Sequence, residues 1–137
     1  MLKSMTAAAL GVALLAGPAG AQNSTGAALV AAQLDALTDE AGLTIGARLT
    51  GRLAADRSRT VILQSPGGDV LFVGACDENC RDLDLIVRDS SGREVGRDVE
   101  LDDVPIVVVQ GPAATYSIEV SMADCTGQCH WGVGVFH

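Results

Sequence analysis

The sequence predicts an all-β protein, an antiparallel β-sandwich or small barrel of seven or eight strands preceded by a short N-terminal helix. Three observations point there. After Gly42, apolar residues alternate with polar ones at the period of half-buried strands. The strand patterns recur at a spacing of roughly ten residues and are punctuated by Ser65-Pro66-Gly67-Gly68, Asp89-Ser90-Ser91-Gly92 and Gly111-Pro112. Before Gly42 the period is helical instead.

The first 21 residues have the three parts of a secretory signal peptide. Lys3 precedes an apolar run from Ala7 to Ala16, and Gly17-Pro18 separates it from the small triplet Ala19-Gly20-Ala21. A run of about ten residues is too short to span a bilayer. Cleavage is expected between Ala21 and Gln22, giving a soluble periplasmic or secreted product. Residues 22–42 then form an N-terminal segment and 43–137 the sandwich domain.

Residues 22–26 read as a flexible start. From Ala27 to Ala41, Val30, Leu34, Leu37 and Ala41 fall at helical spacing, with Ser24 or Thr25 as the cap and Gly42 as the stop. Leu43, Ile45, Ala47, Leu49 and Leu53 then alternate with Thr44, Arg48, Thr50 and Arg52. The stretch 58–64 follows, and after its turn comes the nearly all-apolar 70–75. In 82–89, Leu83, Leu85 and Val87 share one face, with Asp82, Asp84 and Arg88 on the other. Asp89-Ser90-Ser91-Gly92 has Asp first and Gly last, the chemistry of a tight turn, and 93–99 returns from it. VPIVVVQ (104–110) reads as a buried strand begun by Pro105. In 115–122, Tyr116, Ile118, Val120 and Met122 point inward, and the chain closes on WGVGVFH. If consecutive strands reverse direction, the loops at 76–81 and 123–129 share one end of the sandwich, because an even number of reversals separates them.

Charge narrows the function classes. Without the leader the chain carries eight Arg, no Lys and 17 acidic residues, a net charge of −9. Such a chain is repelled by phosphate backbones and anionic lipid, so neither nucleic acid nor a membrane is an expected partner. The missing lysine also removes Schiff-base chemistry and a P-loop.

DLDLIVRDSSGREV, followed by a strand and then GPAATYSIEVSM, resembles the bacterial pre-peptidase C-terminal (PPC) domain pattern. That pattern has an Asp-Leu-Asp-Leu strand, an Asp-x-x-Gly turn and a late strand built around Tyr-x-(Ile/Val)-x-Val. The paired CxxxC loops and terminal WGVGVF are similar to a branch of small exported proteins of this fold. The resemblance covers about residues 43–137. It implies a jelly-roll-like β-sandwich, usually an accessory to a secreted enzyme, with some members binding calcium or a polymeric substrate. This chain departs from the family in that no peptidase precedes the domain.

Cys76, Cys80, Cys125 and Cys129 form two CxxxC pairs. An even cysteine count in an exported chain reads as two disulfides. The local pairing Cys76–Cys80 and Cys125–Cys129 is favoured by proximity in sequence, while the shared loop end leaves crossed pairings open. The same spacing admits a zinc site, with His130 as a further ligand, but oxidation outside the cytoplasm competes with thiolate ligation. Asp77, Glu78, Asn79, Asp82 and Asp84 place five oxygen ligands within eight residues, a candidate calcium cluster, and Asp102, Asp103 and Asp124 lie in other loops. No EF-hand register is present, and a solvated acidic rim is the alternative. No other cofactor is indicated.

Nothing in the sequence organises catalysis. His130 and His137 are the only histidines, and neither a Gly-x-Ser-x-Gly elbow nor HExxH occurs. Tyr116 and Trp131 are candidates for a sugar-stacking pair, with a core role as the alternative. The aromatic-terminated last strand is that of an outer-membrane barrel in appearance only, since such barrels need longer strands and aromatic girdles. The expectation is a non-catalytic binding or accessory module with a protein or polysaccharide partner. Its alternatives are a calcium-dependent binding module and a secreted hydrolase built around His130.

Overall fold

Eight strands form two four-stranded antiparallel sheets, one helix packs outside them, and the winding is that of a jelly roll. The computed structural model describes residues 19–137, with side chains described from Thr25 onward. The signal-peptide reading falls on residues outside that range, apart from Ala19–Ala21. The elements are α1 (Ala19–Ala41), β1 (Ile45–Ala54), β2 (Arg57–Ser65), β3 (Gly68–Cys76), β4 (Cys80–Arg88), β5 (Glu94–Asp98), β6 (Ile106–Gly111), β7 (Ala114–Cys125) and β8 (Gln128–Phe136). One sheet runs β1-β8-β3-β6 and the other β2-β7-β4-β5. The pairs β1·β8, β2·β7, β3·β6 and β4·β5 describe one long hairpin, and wrapping it brings β3 against β8 and β4 against β7.

The inward faces follow the alternation. Leu83, Leu85 and Val87 of β4 and Tyr116, Ile118, Val120 and Met122 of β7 are buried against Val70, Phe72, Trp131, Val133 and Val135 of the facing sheet. Phe72 and Tyr116 meet edge to face across the core, with centroids 5.5 Å apart. The turn after β4 is held by Asp89, whose carboxylate accepts from the N–H groups of Ser91 (3.0 Å) and Arg93 (3.1 Å).

A second apolar layer lies outside the β1-β8-β3-β6 sheet. Val30 and Leu34 of α1 are buried there against Val73, Ala75 and Phe136, with Leu37, Leu43, Ile45 and Leu71 at the margin. This explains why β3 and β8 read as almost continuous apolar runs: both of their faces are covered. Gly132 makes the approach possible, because a Cβ there would stand 2.6 Å from Val30 Cγ1 and 3.1 Å from Leu34 Cδ1. A bulge between Ile45 and Arg48 shifts the phase of β1. Ile45 therefore joins the helix-side layer, while Leu53 packs against the sandwich core.

Two expectations are corrected. The helix already includes Ala19 and does not begin near Ala27, so Ser24 and Thr25 lie inside it instead of capping it. Its end is as expected, with Gly42 at φ +65° closing it in the left-handed region. A cut after Ala21 would still leave Val30, Leu34 and Leu37, the side chains that dock it. The second correction concerns VPIVVVQ, which is the edge strand β6 and not a buried one: Val107 and Val109 face the core, but Ile106 and Val108 face out. Pro105 directly before it fits an edge position.

The helix contact yields a coupled prediction. Gly132→Ala should destabilise the protein by about 1–3 kcal/mol by overpacking the helix seat. Val30→Ala in the same chain should recover part of that loss, although it costs stability alone. Urea denaturation of the two single variants and the double variant measures the coupling. Strictly additive losses would show that the helix does not rest on Gly132.

Candidate functional site

The two CxxxC loops lie together at one end of the sandwich, as the count of strand reversals requires. Cys76 ends β3 and Cys80 begins β4, while Cys125 ends β7 and Cys129 lies in β8. The disulfides are Cys76–Cys80 and Cys125–Cys129, with Cα separations of 5.9 and 6.2 Å. Each is local although Cys80 and Cys125 are register partners across β4 and β7. Among the described residues no cysteine is free, so no thiolate is left for zinc.

Hydrogen bonds make the two loops one unit. Thr126 N–H donates to the Asn79 carbonyl at 3.0 Å, and Asp77 N–H donates to the His130 carbonyl at 3.1 Å. The Asp77 carboxylate is buried and turned back on the chain. Its Oδ1 accepts from Asn79 N–H at 3.1 Å and its Oδ2 from His130 N–H at 2.8 Å. Arg81 adds a clamp at the rim, donating to Asp124 through Nε (3.1 Å) and Nη2 (2.9 Å) and to Thr126 Oγ1 at 2.9 Å. Beside these loops, Thr25, Gly26 and Leu29 of α1 face Asp77, Glu78 and Asn79 across a surface hollow of about 460 Å³.

The five proposed calcium ligands do not converge. Asp77, Glu78 and Asn79 line the hollow next to the helix, and both Asp77 oxygens already accept main-chain N–H groups. Asp82 and Asp84 instead project from the outer face of β4, beside a small bulge in its pairing with β7. Among the described residues, no group of three or more His, Cys, Asp or Glu side chains is arranged to hold a metal ion.

Asp82 and Asp84 form a different kind of centre. Beyond the short strand β5, the loop before β6 shelters this part of β4, with the Asp102 carbonyl accepting from Leu83 N–H at 2.9 Å. Asp82 is only 8 % exposed, and Oδ1 of both Asp82 and Asp84 is buried without a hydrogen-bond partner. Burial pushes the Asp84 carboxyl up to about 6, helped by the charge of Asp82, a hydrogen bond donated to it, and the charges of Asp98 and Asp102. Asp82 is also raised by burial, and by Asp102 and Asp124, while the hydrogen bond from Asp84 pulls it down. The two raised carboxyls are therefore coupled, the charge of Asp82 helping to raise Asp84. The sequence showed Asp82, Asp84 and Asp102 as carboxylates but gave no signal that a loop would cover them, and Asp98 went unnoticed for the same reason.

The remaining candidates sit as follows. Tyr116 and Trp131 are both buried in the sandwich core, so neither offers an open ring face for stacking on a sugar. His130 lies on the outer side of β8 against Gly26, where a Cβ would come within 2.5 Å of the ring. The Asp77 carboxylate beside it bonds to the His130 main chain. Among the described residues, no helix is long and apolar enough to cross a membrane.

The Asp84 shift has a defined pH signature. A carboxyl raised in the fold favours folding below its unfolded value of 3.8, and that advantage is lost as pH rises through about 6. Asp84→Asn keeps the donor to Asp82 without the charge. It should therefore stabilise the protein at pH 7.5 by about 1 kcal/mol after allowance for solvent screening, and by nothing near pH 4. Urea midpoints at the two pH values test this, and equal destabilisation at both would contradict it. Compared with known proteins, the chain matches no protein-family model and no curated protein.

Proposed function

We propose that this chain is a non-catalytic, exported β-sandwich acting as a binding or accessory module in the periplasm or cell envelope, with the pinched-loop end as its contact surface. The observation that carries the reading is the hydrogen-bonded pairing of two disulfide-closed loops beside the hollow at α1. Loops already fixed in shape lose little conformational freedom on binding, so contacts made there convert efficiently into affinity. Two disulfides fit an oxidising compartment. The resemblance to PPC domains supports an accessory role toward a protein or polysaccharide partner. A hydrolytic role for His130 is disfavoured because the adjacent Asp77 carboxylate holds two main-chain N–H groups and is not free to orient an imidazole.

A photo-crosslinking residue at Glu78, compared with one at Thr60 on the far sheet, tests the surface in producing cells. We expect a partner captured from position 78 and not from position 60; the reverse pattern would refute the assignment. Ester, peptide or glycoside turnover by the pure protein that disappears in His130→Ala would refute the non-catalytic reading.

One observation favours a second reading, a calcium-dependent module. The Oδ1 atoms of Asp82 and Asp84 are buried without a partner, the charges of Asp98 and Asp102 bear on Asp84, and calcium is ligated by carboxylate oxygens, although these side chains are not arranged as a ready-made metal site. The ion would sit on this outer face rather than in the 77–79 loop. At pH 7.5, millimolar calcium should raise Tm over that in chelator by about 3–5 °C, and Asp82→Asn should abolish the rise. An unchanged melting curve would sink the calcium reading and leave the first intact.

A further inference from the structure

We propose that a second copy of this chain docks edge to edge on β6, in antiparallel register, to join two sandwiches into one continuous sheet. Among the described residues, five of the eight large apolar side chains that are exposed fall within 99–108: Val99, Leu101, Val104, Ile106 and Val108. Leu101 is 90 % exposed and Val108 62 %. β6 is also an outer strand of its sheet, paired on one side only, by β3. Edge strands that stay monomeric are usually blunted by a charge, a bulge or a proline; β6 has Pro105 just ahead of it but no charged residue from Val104 to Gln110 and no bulge, so its run beyond Ile106 is open.

The hydrogen bonding of this edge shows where pairing is open. Ile106 N–H is capped by Asp98 Oδ2 at 2.8 Å, which blocks the first position. Main-chain groups two residues apart on a strand point the same way, so those of Val108 and Gln110 face off the sheet. A two-fold axis at Val108 pairs Val108 with its copy and sets Ile106 beside Gln110 of the second chain. The four apolar side chains, Ile106 and Val108 from each chain, then share one face.

Charge selects a second copy as the occupant. The segment leading into β6 carries Glu100, Asp102 and Asp103, whereas the strand's other end holds Arg93, largely exposed although it pairs with Asp89 at 3.3 Å, beside Gln110 and Pro112 in the wall of a hollow of about 410 Å³. Antiparallel pairing brings the acidic end of each copy to the Arg93 end of the other. A parallel arrangement would stack like charges. The interface is isologous and closes after two chains, so it gives a dimer and not a filament.

Light scattering on the eluting protein at about 100 µM reads the outcome directly. We expect twice the chain mass for the wild type. Val108→Lys should elute as a folded monomer with an unchanged circular dichroism spectrum. Ile62→Lys, on the other sheet, should remain dimeric. Asp103→Arg, in an exposed loop, should shift the protein toward monomer, and adding Arg93→Glu should restore the dimer. A wild-type monomer at this concentration overturns the proposal, whatever else the edge binds. So does a dimer that survives both Val108→Lys and Asp103→Arg.

Discussion

Strand β8 lies between two apolar layers, and that double burial is the constraint on which the other elements depend. Its inward side chains, Trp131, Val133 and Val135, fill the sandwich, while Gly132 and Phe136 face α1. A side chain at Gly132 would lift the helix off the sheet. Without the helix, the outer faces of β3 and β8 would leave Val73, Ala75 and Phe136 in water, at roughly 25 cal/mol for each Å² uncovered. The helix is therefore a third layer of the domain and not an appendage. The Arg48–Asp35 ion pair at 2.8 Å sits at its exposed margin and adds little beside the apolar contact.

The loop end follows from the same winding. Because β3 pairs with β8 and β4 with β7, the β3–β4 and β7–β8 connections lie against each other. A disulfide closing a ring of five residues contributes on the order of 2 kcal/mol, less than a long-range bridge would. The two bridges therefore fix loop shape more than they hold the fold together. The buried part of the link between the loops comes from Asp77, which reaches from one loop to the main chain of the other, beside the Thr126–Asn79 bond and the Arg81 clamp at the rim. A carboxylate accepting two N–H groups makes charge-assisted bonds, stronger than neutral ones.

Local chemistry was legible in the sequence. The alternation of β4 and β7, the Asp89 turn, the stop at Gly42, the local cysteine pairs and the shared loop end all rest on periodicity or on a few residues of known preference. What failed depended on neighbours distant in sequence. VPIVVVQ is apolar enough for a strand buried on both faces, yet α1 covers β3 and β8 and stops short of β6. Asp82 and Asp84 occupy the polar half of an alternating strand and so read as solvated, until the loop before β6 folds across them. Ser24 and Thr25 resemble a cap, but a sequence free of proline from Ala19 to Ala41 lets the helix run straight through them.

The charges show where the fold departs from ordinary surface design. Arg88–Glu119, Arg97–Glu94, Arg81–Asp124 and Arg93–Asp89 pair four of the eight arginines along the β2-β7-β4-β5 sheet. None of these guanidinium groups neutralises Asp82 or Asp84, whose surroundings are Asp98, Asp102 and Asp124. A carboxyl pair buried among further carboxylates is unfavourable at neutral pH unless a proton or a cation joins it. The segment that buries the pair, through the Asp102 carbonyl on Leu83, continues through Pro105 into β6 and its apolar edge. Local rules tend to be broken where function is carried, and here both departures meet on one loop. The charge state of the pair and the presentation of the edge strand consequently share a structural element, since displacing the loop to solvate Asp82 would also move the chain that leads into Ile106.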